Sequence, residues 1–150
     1  MPLRRLFSQR LILFGLVTQE TGDKIFEKDE DILLVFNIEP FESDIFTHGA
    51  PSAYPPDRSH TILPSALMFA WNDKSQDEFV YDSLRNLTAS IIEAGIKDGQ
   101  DLKDAANYPN YAVYGTPLEA MYGKNVKRLR EIKRKYDPFH VMDLTGGFRF

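Results

Sequence analysis

The stretch Leu63-Pro64-Ser65-Ala66-Leu67-Met68-Phe69-Ala70-Trp71-Asn72-Asp73-Lys74-Ser75-Gln76-Asp77-Glu78 decides the fold. Its first half, Leu63 to Trp71, reads as a strand: Leu67, Phe69 and Trp71 alternate with Ala66, Met68 and Ala70. Its second half announces a helix. Ser75-Gln76-Asp77-Glu78 has the form of a capping box, and Val80, Leu84, Leu87 and Ile91 follow at steps of four, three and four. Gly95 and Gly99 are plausible stops. A strand running directly into a well-signalled helix argues for mixed α and β structure.

Working outward, Asp31 to Phe41 reads as a buried strand closed by Pro40. Arg10 to Val17, a short apolar run ahead of Thr21-Gly22-Asp23, reads as another, and Asn110 to Tyr114 as a shorter fourth. A second helix is expected from Thr116-Pro117-Leu118-Glu119, which supplies a cap, a proline at the first helical position and an early acid. Leu118, Tyr122, Leu129, Ile132 and Tyr136 form its stripe, and Asp137-Pro138 ends it. Residues 42–62, rich in Pro, Ser, Gly and Asp, form a long loop carrying His48 and His60. The expected fold class is α+β: an antiparallel β-sheet of about four strands with two main helices packed on one face, in a single domain over residues 1–150.

Composition narrows the function. The chain has 150 residues, 43% apolar and 27% charged, enough to build a core. Its net charge of −4 argues against a nucleic-acid partner. With no cysteine there is no disulfide, thiolate metal site or cysteine nucleophile. His48, His60 and His140 lack metal-ligand spacing, so no metal is expected. The apolar run at residues 11–17 is too short to span a bilayer, and no small-x-small cleavage site follows it. The expectation is a cytoplasmic chain with no membrane partner. The seven basic residues between Lys124 and Lys135 read as a solvated helix face.

The chemistry concentrates in the aromatic cluster Tyr108, Asn110, Tyr111 and Tyr114. A phenol donates a hydrogen bond or acts as a general acid, and a carboxamide beside it stabilises charge growing on a carbonyl oxygen. Packing of the tyrosines into a sheet is the competing reading.

Tyr108-Pro109-Asn110-Tyr111 resembles the Tyr-x-Asn-Tyr motif of berberine-bridge-type FAD-linked oxidases. Tyr122-Gly123-Lys124-Asn125, continuing through Arg128-Leu129 to Lys135-Tyr136-Asp137-Pro138, is similar to their C-terminal signature. Gly146-Gly147-Phe148 and Ala70-Trp71-Asn72-Asp73 resemble fungal members. The resemblance runs from about Ile32 to the end. It implies a truncated C-terminal, substrate-domain portion lacking the flavin-binding domain, since no glycine-rich phosphate cradle and no attachment cysteine are present. It also implies that Asn125 and the Tyr108–Tyr111 motif lie near the flavin ring.

Three functions stay open. The leading expectation is a flavin-independent cyclase or isomerase, including pericyclic, hydrogen-bond-assisted chemistry, with no cofactor. Its substrate would be an apolar polyketide- or terpenoid-like intermediate of fungal secondary metabolism. Tyr108, Asn110 and Tyr111 would be catalytic. Phe69, Trp71, Tyr114, Tyr122, Asn125, His48 and His60 would contact the substrate. The first alternative is a subunit or fragment of an FAD-dependent oxidoreductase, with FAD supplied on a separate domain. The second is a non-catalytic small-molecule-binding module. A sheet edge left bare by truncation predicts a homodimer.

Overall fold

A computed structural model describes residues 3–28, 31–39, 45–56 and 64–150. The chain forms two compact units. The first comprises residues 1–40 and 63–104, the second residues 41–62 and 105–150.

The first unit contains helix α1 (Leu3–Phe26), strand β1 (Leu33–Ile38), strand β2 (Ser65–Ala70) and helix α2 (Asp77–Lys97). Its sheet has two antiparallel strands, with Leu34 opposite Phe69, Val35 opposite Met68 and Phe36 opposite Leu67. The helices pack on one another, α1 against β1 and α2 against β2. Ile25, Ile32 and Val80 form the buried centre, with Phe69, Trp71 and Phe79 against it. The helix stripe expected in α2 is realised: Val80 and Leu87 are buried and Leu84 and Ile91 half-buried. On the other face of the sheet, Leu33 and Met68 remain 58% and 50% exposed.

Several expectations change here. Residues 10–17 are not a strand; they lie inside α1. The helical stripe is carried by Phe14, Thr18, Gly22 and Ile25, two of which are not apolar. Thr18 satisfies its hydroxyl on the Phe14 carbonyl at 2.8 Å, so it can be buried. A Cβ on Gly22 would come within 3.3 Å of Leu34, so the small residue lets α1 lie close to β1. The continuous apolar run hid this period.

The expected capping box does not form. Asp73, not Ser75, is the cap: its carboxylate accepts from the Ser75 amide at 2.8 Å and starts a 3-10 turn over Lys74–Gln76 ahead of α2. Gly95 does not stop α2 but lies within it. A Cβ at Gly95 would meet Leu102 at 2.5 Å. Gly99, at φ +82°, follows the helix end, where a left-handed residue is required.

In the second unit, Asn110 to Tyr114 is a turn region rather than a strand, so among the described residues the sheet has two strands, not four. The Tyr111 amide donates to the Tyr108 carbonyl at 3.0 Å. Pro109 and Asn110 are favoured at the central positions of such a turn, and that preference outweighs the β propensity of the tyrosines. The expected second helix is broken into α3 (Leu118–Tyr122) and α4 (Val126–Tyr136) by Gly123, whose φ of +51° no helix tolerates. Thr116 does not cap it. Its hydroxyl donates to the Val113 carbonyl, and Pro117 is the residue before the first turn. Met121 and Val126 bury the centre of this unit.

Candidate functional site

The Tyr108–Tyr111 turn brings three of the expected residues together. The Asn110 carboxamide donates to the Tyr108 phenol oxygen at 2.8 Å. The Tyr108 and Tyr111 rings meet edge to face with centroids 5.0 Å apart. Because Tyr108 accepts from Asn110, its own proton is available for an outside acceptor, and the accepted bond polarises the phenol towards donating it. The cluster is therefore a hydrogen-bond donor beside an aromatic edge.

Tyr54, which the sequence reading did not single out, belongs to the same cluster. Its ring lies 5.5 Å from that of Tyr108, and its hydroxyl donates to the Ala106 carbonyl at 3.3 Å. Burial raises its phenol above the ordinary value, with the neighbouring Tyr108 adding to the rise. The one sequence signal was Ser52-Ala53-Tyr54-Pro55, an aromatic residue ahead of proline within a polar loop.

Asn125 uses its amide nitrogen internally, donating to the carbonyls of Ala53 at 2.9 Å and Ser52 at 3.4 Å. Tyr122 packs against Phe150, centroids 5.4 Å apart. Tyr114 is 88% exposed. His48 is exposed on the 45–56 segment, and His60 lies outside the described residues.

Phe69 and Trp71 belong to the first unit, where both pack on its core. Trp71 also donates its indole N–H to the Asp77 carboxylate at 2.7 Å and meets Tyr81 edge to face. Among the described residues, no group of three or more His, Asp or Glu side chains gathers as metal ligands would. No helix there is long and apolar enough to cross a membrane.

The family comparison falls within the second unit. Residues 107–144 match the family described as Berberine and berberine like. This stretch holds the Tyr108–Tyr111 turn, α3 and α4. It is shorter than the resemblance expected from Ile32 onward. A 41-residue segment is 58% identical to the FAD-linked oxidoreductase OXR2 of Pyricularia oryzae, covering 25% of this chain and 8% of that protein. No solved structure matches the chain significantly. The turn with its tyrosines and asparagine, and the two helices that follow, are thus the part of the chain that is similar to the berberine and berberine-like family.

Proposed function

We propose that this chain serves as the substrate-side portion of an FAD-linked oxidoreductase, completing its site against a flavin-bearing polypeptide. What carries the reading is that the family match over residues 107–144 contains the Tyr108, Asn110 and Tyr111 cluster itself. The 58% identical segment of an FAD-linked oxidoreductase supports it further. Nothing comparable favours the flavin-independent cyclase, so the oxidoreductase alternative is preferred.

The donor set fits one part of the cofactor. A phenol and a carboxamide are uncharged donors suited to the carbonyl and imide edge of an isoalloxazine ring. They are unsuited to a pyrophosphate, which calls for cations or a run of backbone amides. The phosphates would thus be held by the flavin-bearing polypeptide. When bound, FAD supplies the two-electron acceptor. The residues of this chain hold and orient: Tyr108 donates a hydrogen bond to a carbonyl oxygen, Asn110 fixes the phenol, and Tyr111 walls the site with its ring edge.

The test is reconstitution. The full chain is co-expressed with an OXR2-type flavoprotein from which the matching segment has been deleted. A yellow complex that co-purifies supports the proposal. A colourless chain that elutes apart from the flavoprotein overturns it.

We also propose self-association through the first unit. The outward face of its two-stranded sheet carries Leu33, Val35 and Met68, all partly exposed. Sheets with bare apolar faces and edges pair or are covered. Sedimentation should show a dimer that Val35→Lys converts to monomer; a monomer at all concentrations refutes it.

A further inference from the structure

We propose that Asn125 and Tyr54 are positioning residues for the Tyr108 phenol, with Asn125 seating the 52–55 segment and Tyr54 transmitting that placement to the Tyr108 ring. The inference rests on the reading above only in treating Tyr108 as the group that meets the ligand.

The geometry forms a short chain of contacts within the second unit. Gly123, at φ +51°, interrupts the helix between Tyr122 and Val126 and opens a 3-10 turn over Gly123–Asn125. That break faces the loop: a Cβ at Gly123 would sit 3.9 Å from Pro55. Two residues later, the Asn125 amide donates to both the Ala53 and Ser52 carbonyls. These bonds join positions 72 and 73 residues apart in sequence, so they tie the 52–55 segment to the start of α4.

The segment is further stiffened from within, because the Ser52 hydroxyl donates to the Tyr54 carbonyl at 2.7 Å. Tyr54 is thereby held at three points: its carbonyl by Ser52, its hydroxyl on Ala106, and its ring against Tyr108. Tyr108 in turn is held on one side by Tyr54 and on the other by Asn110 and Tyr111. The asparagine of the Tyr-Gly-x-Asn step thus spends its donor on the loop. Its effect on a ligand at Tyr108 passes through Tyr54.

The test uses the full chain labelled with 13C at the tyrosine ring carbon that bears the hydroxyl, followed by NMR through a pH titration. In the wild type, Tyr54 should ionise above the ordinary phenol range of about 10. Asn125→Asp is nearly isosteric but presents a carboxylate to two carbonyl oxygens. It should return Tyr54 to the ordinary range and move the Tyr108 resonance, while the fluorescence of Trp71 in the first unit stays unchanged.

Tyr54→Leu should move the Tyr108 resonance in the same direction, and Tyr54→Phe, which keeps the ring, should restore it. The proposal is overturned if Asn125→Asp leaves both tyrosine signals in place, or if Tyr54→Leu leaves that of Tyr108 unmoved. Should Asn125→Asp unfold the chain, the two Tyr54 variants decide the matter. No flavin is present in these samples. A negative result here leaves the oxidoreductase reading standing, and a failed reconstitution leaves the positioning chain standing.

Discussion

The Lys133 ammonium lies 2.6 Å from the Asp137 carboxylate, and both side chains are only 12% exposed. Asp143 accepts from the same ammonium at 2.5 Å. Asp137 also accepts from the backbone amides of Val141 at 2.7 Å and Met142 at 3.2 Å. One cation and two carboxylates thus tie the end of α4 to the 3-10 turn over Val141–Thr145, past the left-handed His140. Lys133→Met should release that turn. Its signature is faster hydrogen exchange at the Val141 and Met142 amides together with a lower Tm. Unchanged exchange would show that the turn is held by other means.

The same cluster sets a pH dependence. Asp137 and Asp143 are held below the ordinary carboxylate range, first by the hydrogen bond from Lys133. Their contribution to stability is therefore complete above the unfolded value of about 3.9 and fades as pH falls through the depressed folded values. Lys133 is raised, first by the Asp137 bond, so its contribution persists up to about pH 10 and is lost only above that. The Tm gap between wild type and Lys133→Met should be flat through neutrality and close below about pH 4. A gap that persists in acid contradicts this assignment.

Leu87 is completely buried on α2. Leu87→Ala removes three buried carbons and leaves a cavity, which should cost about 2–5 kcal/mol in denaturant unfolding. A loss below about 1 kcal/mol would mean that the site collapses around the smaller side chain.

Gly123 has φ +51° and ψ −133°, a conformation reached almost solely by glycine. Gly123→Ala should cost about 1–3 kcal/mol, with thermal or urea unfolding as the readout. The residual folded population should show the Tyr54 titration moving towards the ordinary phenol range, because the break at Gly123 aims Asn125.

Among the described residues, the buried side-chain nitrogen of Gln100, next to Gly95 and Leu102, meets no hydrogen-bond partner. An orphaned buried donor carries a desolvation cost, so Gln100→Met, of similar length, should stabilise the chain by about 1 kcal/mol. A destabilised variant would show that the amide has a role that its surroundings do not reveal.

What could be read from the sequence followed from how each signal is encoded. The β2 strand and the α2 stripe were legible because large apolar residues marked their periods; β1 was legible as a strand from its continuous apolar run, but not as the buried strand expected, since Leu33 and Val35 face outward. The helix α1 was not, because half of its buried face is Thr18 and Gly22, whose value lies in small volume and a self-satisfied hydroxyl. The Tyr108–Tyr111 cluster was legible as a motif but not as a turn, since Pro109 and Asn110 override the strand preference of their aromatic neighbours. Tyr54 and the true partners of Asn125 were invisible, because contacts across more than 50 residues leave no local pattern. Met121 and Val126 escaped notice for a related reason. The break at Gly123 shifts the helical phase between them, so a single stripe drawn through both helices is realised only in part: Leu118, Tyr122 and Leu129 are half-buried, but Ile132 and Tyr136 are exposed.

The chain passes between its two units at 40/41, 62/63 and 104/105, with β1 and β2 bracketing a stretch that folds with the other half. No single proteolytic cut can therefore liberate either half as one continuous polypeptide. Deletion mapping from one end cuts into the second half before it has removed the whole of the first, so activity lost in the longer deletions would report interleaved connectivity before it reported the location of any site. Separating the halves calls for excision with religation, or for assembling each half from its two segments.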